Sequence, residues 1–215
     1  MTPSDAAAAG KSTSADYPPE PWHLAGDAWL SVWRVPLDEI PALPEGARPL
    51  VWRGHATVVT AWIDYRPPGQ LSYHELLATV AVHGRRAAAS ITAIWVDSET
   101  SLAGGRALWG IPKDLAAFEF TGGHAFTATA ATGDDWIATA AFTPRLGLPL
   151  AVPAAFEVVQ TLDGRPKRSP VVSKARARLA SSDWQINPEG PLGHLSGRRP
   201  AASAKLTGFA LRFGG

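Results

Sequence analysis

The sequence predicts a mainly β (α+β) fold, an antiparallel sheet closing into a barrel or cone around an apolar cavity, with a few short helices. Three observations carry this expectation. Short segments rich in valine, isoleucine, threonine and tryptophan recur along the chain, cut by many of its 20 glycines and 19 prolines, which is the punctuation of strands and turns. At most two or three short helices fit between them. Nine tryptophans in 215 residues supply core and rim packing, and a barrel or cone lined by Trp29, Trp33, Trp62, Trp95 and Trp109 would hold a small apolar carbonyl compound.

Residues 1–16 are small and polar, without an aromatic or branched aliphatic side chain, so they bury too little surface to offset ordering and are expected to form a disordered tail. Residues 17–215 are expected to form one domain. Trp29 to Val35 reads as a strand ended by Pro36, and Leu50 to Tyr65 as a long strand or a bent pair of strands. Ser72-Tyr-His-Glu75 has the spacing of a capping box, yet Leu76 to Val82 suits a buried strand, which is preferred here. Ala88 to Val96 is apolar and β-branched, an interior strand. Ser101 to Leu108 predicts a short helix carrying Arg106, and Pro112 is placed to open a second helical turn.

Two hairpins are expected about Gly122-Gly123 and Gly133-Asp134-Asp135, and Leu148 to Gln160 is apolar enough to enter the core. The stretch from Arg165 to Lys205 holds nine basic and two acidic residues, the composition of a solvated face with loops. Leu206 to Phe213 is positioned to close the sheet as its last strand.

Twenty basic and nineteen acidic side chains give a formal charge of +1, so no global field calls for nucleic acid or an anionic membrane. Without cysteine there are neither disulfides nor thiolate metal sites, as suits a reducing compartment. The start of the chain lacks the basic and long apolar runs of a secretory signal peptide, and no stretch reads as a membrane span; the cytoplasm is the expected location. The histidines show no close ligand spacing, and the zinc-protease, serine-hydrolase, P-loop and dinucleotide-binding motifs are missing. No cofactor and no metal are therefore expected. His23 and His74 flank segments of interest.

Chemistry concentrates between Gly104 and Leu115. Lys113 is the only lysine between Lys11 and Lys167, in a chain whose other basic residues are mostly arginine. Arginine stays protonated, whereas a desolvated lysine can lose its proton and attack a carbonyl to form a Schiff base. The bland alternative is an exposed lysine at a helix end.

The order Tyr73-His-Glu75, Trp95-Val-Asp-Ser and Gly105-Arg-Ala-Leu-Trp-Gly-Ile-Pro-Lys113 resembles the acetoacetate decarboxylase superfamily, whose signature is a glycine-arginine segment followed by a Pro-Lys pair. The resemblance covers roughly Tyr17 to Phe213 and implies a divergent member. It implies Lys113 as the nucleophile, Glu75 as the pocket acid or base, and a β-keto acid or related carbonyl compound as substrate. Arg106, Trp109, Tyr73, Trp95 and Trp62 are the expected substrate-binding residues, with Arg106 either holding an anionic group or pairing with an acid such as Asp97. The family also implies a homo-oligomer.

Three departures stand out. The decarboxylase proper has a second lysine directly after the nucleophile, where this chain has Asp114; its arginine ahead of the first strand falls nearest Gly26; a second pocket acid falls at Thr60. These departures leave two alternatives to a decarboxylase-like lyase. One is a Schiff-base aldolase, dehydratase or cyclase of secondary metabolism, and the other is a non-catalytic binder of a small apolar ligand.

Overall fold

Segments rich in β-branched and aromatic residues, cut by glycine and proline, put β structure along most of the chain. The computed structural model describes residues 17–215 apart from 124 and 134, and no side chain in 146–150; the expected tail, residues 1–16, and His124 lie outside the described residues. The elements are β1 (Trp22–Pro36), β2 (Val51–Trp52), β3 (His55–Tyr65), β4 (Tyr73–Val82), β5 (Ala88–Val96), α1 (Glu99–Trp109), β6 (Lys113–Leu115), β7 (Ala117–Thr121), β8 (Phe126–Thr132), β9 (Asp135–Leu162), β10 (Arg165–Ile186) and β11 (Ala202–Phe213). Two single-turn 3-10 helices lie at Leu37–Glu39 and Gly193–Leu195. No helix among the described residues is long and apolar enough to cross a membrane.

One sheet runs in the order β6-β5-β4-β3-β1-β11-β10-β9-β8-β7, with β2 beside β3. A parallel contact of Ala88 and Ala89 with Glu157 and Val158 joins β5 to β9. Strands β5, β4, β3, β1, β11, β10 and β9 thereby close into a ring. The remaining pairs are antiparallel except β5 with β6, so the mainly antiparallel, self-closing sheet read from the sequence is the observed architecture.

Strands β1, β3, β4 and β5 are apolar on both faces, and the side-chain period of two sorts each of them into two cores. Trp33, Val58, Trp62, Leu76 and Val80 point to one side and pack with Phe142. Leu24, Tyr65, Tyr73 and Ile94 point to the other, where they meet Val171 and Phe209 around a cavity. The first core is solid. Trp62 is fully buried and stacks on Trp184 at 5.7 Å; truncating such a side chain costs about 3–5 kcal/mol.

Several local expectations change. β1 starts seven residues before Trp29, at Trp22, because a register shift between Gly26 and Ala28 lets the strand continue through the bulge. Leu50 to Tyr65 resolves into the β2–β3 hairpin, whose turn residues Arg53 and Gly54 both have positive φ. The helix spans eleven residues, capped by the Ser98 side chain, which accepts from the Ser101 N–H at 3.2 Å. Pro112 opens no second helical turn; the chain leaves Gly110 in the left-handed region (φ 64°) and enters β6 instead. A Cβ at residue 110 would lie 2.0 Å from the Thr161 carbonyl oxygen, so this turn requires glycine.

The largest correction is the basic stretch. Arg165–Ile186 is a 22-residue strand between β9 and β11. Val171 and Ala175 face inward, while Arg168, Lys174, Arg176 and Arg178 are exposed at the alternate positions along the strand. The basic residues form the solvated face of a ring strand, which their period of two records and their summed charge conceals.

Candidate active site

The cavity has a volume of about 480 Å³ and lies on the inner side of the ring. Lys113 reaches it because β6 runs parallel to β5 with Lys113 opposite Ile94, and because Pro112 delivers the residue in extended form after the Gly110 cap. The pleat then turns successive side chains to opposite sides. Lys113 points inward and is 4% exposed, whereas the Asp114 side chain is 66% exposed and pairs with Arg106.

The Lys113 amine donates to Ser101 Oγ at 2.8 Å and to Glu75 Oε2 at 3.0 Å, with the Tyr73 hydroxyl at 3.5 Å. Its Nζ lies 5.2 Å from the Tyr73 ring centroid, within cation–π range. Glu75 receives the Tyr65 hydroxyl on Oε1 at 3.1 Å and the Tyr73 hydroxyl on Oε2 at 3.4 Å. Burial, reinforced by the neighbouring Glu75 charge, holds both tyrosine hydroxyls well above the usual phenol value. They therefore remain hydrogen-bond donors to the carboxylate. Among the described lining residues, Lys113 and Glu75 are the two that carry charge, and they form one buried, hydrogen-bonded ion pair.

Each partner is set by strand register. Tyr73 and Glu75 are two apart on β4 and share its inner face; Tyr65 sits opposite Tyr73, and Ile63 opposite Glu75. Ser101 comes from the first turn of α1. Trp109, at the other end of that helix, walls the cavity: its indole donates to Glu20 Oε2 at 2.8 Å and meets Trp22 edge-on at 4.8 Å.

Of the expected substrate-binding side chains, Tyr73 and Trp109 line the cavity. Trp62 and Trp95 do not; the strand pleat turns them into the solid core on the opposite face. The same correction applies to Trp29 and Trp33. Arg106 faces away, donating from Nε to the Lys113 carbonyl at 2.7 Å and from its terminal nitrogen to Asp114. Its expected alternative partner, Asp97, instead holds the outward-facing His74 at 2.7 Å, and His23 is exposed.

Neither Gly26 nor Thr60 reports on the cavity. A Cβ on Gly26 would lie 1.9 Å from the Asp64 carbonyl oxygen, so no side chain fits there, and Thr60 accepts the Trp33 indole N–H at 2.9 Å on the far face. Sequence reading missed Ser101, Tyr65 and Trp22. Tyr65 was within reach, because a β3–β4 hairpin that pairs Tyr65 with Tyr73 also sets it beside Glu75; Ser101 had no signal beyond its place in the helix's first turn.

The arrangement offers an amine, a carboxylate and three hydroxyls at the end of an apolar cavity, the groups needed to add an amine to a carbonyl and to move one proton. The sequence profile of the acetoacetate decarboxylase (ADC) family matches residues 2–173. No curated protein matches the chain. Among solved structures it is similar to the enduracididine biosynthesis enzyme MppR complexed with pyruvate, at 20% identity and TM-score 0.68 over 96% of this chain and 93% of that one. It is also similar to acetoacetate decarboxylase from Legionella pneumophila, at 17% identity and TM-score 0.70 over 93% and 87% of the two chains. An acetoacetate decarboxylase-like enzyme from Sphingomonas wittichii RW1 matches at 15% identity and TM-score 0.70, over 100% of this chain and 98% of that one. With four-fifths of its length matched by that profile, the chain belongs to the acetoacetate decarboxylase family.

Proposed function

We propose that the protein is an acetoacetate-decarboxylase-like enzyme, a carbon–carbon lyase that forms a Schiff base between Lys113 and a β-keto acid. The observation that carries this reading is the buried Lys113 amine, hydrogen-bonded to Glu75 and Ser101 at the closed end of an apolar cavity. Transfer of the ammonium proton to Glu75 leaves a neutral amine, which adds to the ketone carbon; Glu75 gives that proton to the departing hydroxyl, so that water leaves and an iminium remains. The bond to the carboxylate then breaks, carbon dioxide leaves, and the electron pair moves toward the iminium nitrogen to give an enamine. Glu75 takes up a proton from solvent and passes it to the enamine carbon, and water then releases the ketone and restores the amine.

The apolar lining favours loss of the charged carboxylate, since a carboxylate is poorly solvated there and carbon dioxide is not. Borohydride added with acetoacetate is expected to fix a reduced adduct on the peptide that carries Lys113. A Lys113→Ala variant with undiminished turnover refutes the reading.

A second reading, Schiff-base aldol condensation with dehydration or cyclisation, is favoured by cavity size. At about 480 Å³ the space lies within the range of about 300–1,000 Å³ that serves drug-sized ligands, more than a four-carbon acid fills. The solved MppR structure that holds the condensation product of pyruvate and imidazole 4-carboxaldehyde shows such a pairing in that protein. Carbon dioxide release from a keto acid separates the two readings.

A further inference from the structure

The cavity is long as well as apolar. Glu75, Leu77 and Thr79 of β4 line it in succession, and at a rise of about 3.3 Å per residue Glu75 and Thr79 stand roughly 13 Å apart along the strand. Cross-strand partners repeat the spacing in β3: Ile63 lies beside Glu75, Ala61 beside Leu77 and Val59 beside Thr79. Each of these three also faces the cavity.

The two ends differ in access. Around the amine, Glu75 is 2% exposed and Lys113 4% exposed, and Trp22 and Trp109 close that end. At the other end the lining residues Ala87 and Ala154 are exposed. A molecule that enters there and reacts at Lys113 lays the rest of its length along the Leu77 and Thr79 rungs. No described residue in that part of the lining carries a charge or could neutralise one, so an anionic tail would be desolvated without a partner.

We infer that the substrate is a linear carbonyl compound with an uncharged apolar tail of medium length, its carbonyl at Lys113 and its tail running past Leu77 and Val59 toward Ala87. With carbon–carbon bonds of about 1.5 Å, an extended chain of about ten carbons spans the channel. The inference rests on the reading of Lys113 as the imine-forming amine. It adds the tail, which that reading does not require.

The test uses the full-length protein, borohydride and the homologous methyl ketones from acetone to 2-nonanone. The readout is the ketone concentration that gives half-maximal labelling of the Lys113 peptide. In each case the amine and ketone form an imine with loss of water, and borohydride reduces it to a secondary amine. The expected result is a fall of about three- to fourfold in that concentration for every added methylene, the increment of methylene burial. A constant or rising concentration, with Lys113 still labelled, overturns the tail while leaving the Schiff-base reading intact. Absence of labelling by every ketone overturns both.

Two further comparisons locate the tail. Val59→Trp fills the outer rung and is expected to end the gain at shorter chains than in wild type; an unchanged series overturns the placement. A keto acid of the same length as 2-nonanone, with a terminal carboxylate, is expected to label Lys113 at least tenfold less well. Equal labelling overturns the requirement for an uncharged tail.

Discussion

Gly105 lets the Lys113 side chain cross α1: a Cβ on residue 105 would lie 2.7 Å from Lys113 Cδ and 2.8 Å from Cε. Both distances are far below van der Waals contact. In an exposed helix, replacing glycine by alanine gains about 1 kcal/mol; here the methyl must push the lysine chain out of its path. Gly105→Ala is therefore expected to slow borohydride labelling of Lys113 by tenfold or more, with stability unchanged or lowered. Labelling at the wild-type rate would show that Lys113 reaches the cavity by another route.

Glu75 and Lys113 form a buried pair, with side chains 3% and 5% exposed, and removing one member leaves the other buried without its counter-charge. Glu75→Gln is expected to cost about 3–5 kcal/mol of unfolding free energy, the usual cost of breaking such a pair. The double variant Glu75→Gln, Lys113→Met removes the stranded ammonium as well and is expected to recover most of that loss. A denaturant titration of the four proteins, read as a double-mutant cycle, measures the coupling. Additive effects would show that the two side chains do not interact.

How much of this was legible depended on what period two can carry. The strand pattern of β5 and the hairpins of β7, β8 and β9 follow from apolar alternation and glycine turns, and the Pro112-Lys113 context marked the candidate amine. What failed was the assignment of faces. Trp62 and Trp95 are expected in the cavity because tryptophan suits an apolar wall, yet β3 and β5 are apolar on both faces, and hydrophobicity alone does not say which face is the solid one. Ser101 was hidden for a related reason. Its contact with Lys113 depends on where α1 docks, which is a tertiary relationship between residues twelve apart.

Tyr65 and Tyr73 give the site a pH signature. Burial first, and then the Glu75 charge, raise both hydroxyls well above 10.0 in the folded protein. The folded state therefore keeps protons that the unfolded chain loses near pH 10. Their contribution to stability is complete below that pH and declines as pH rises through and beyond it, by up to about 1.4 kcal/mol per pH unit for each tyrosine. Denaturation midpoints measured from pH 8 to 11 are expected to fall less steeply for Tyr65→Phe than for wild type, whatever the variant's baseline stability. Parallel slopes would show that Tyr65 ionises as freely in the folded protein as in the unfolded chain.

Asp114 stands where the resemblance implies a second lysine, and its position on β6 decides what it does. The pleat sends the Lys113 side chain inward and the Asp114 side chain outward, where it is 66% exposed and paired with an Arg106 that is itself 51% exposed. An exposed pair of this kind is worth about 0–1 kcal/mol and is screened by salt. The charge at residue 114 thus has little purchase on the buried amine. Asp114→Asn is expected to change the labelling rate of Lys113 by less than twofold and stability by under about 1 kcal/mol, and Asp114→Lys to do no more, since an added cation there points into solvent beside Arg106. Arg106→Ala is the contrasting case, because it also removes the 2.7 Å donor to the Lys113 carbonyl that fixes the backbone from which the amine projects. It is expected to slow labelling more than either substitution at 114. A tenfold acceleration in Asp114→Lys would show that charge at this position acts on the amine across the strand, and would return the activation of Lys113 to its neighbour in sequence.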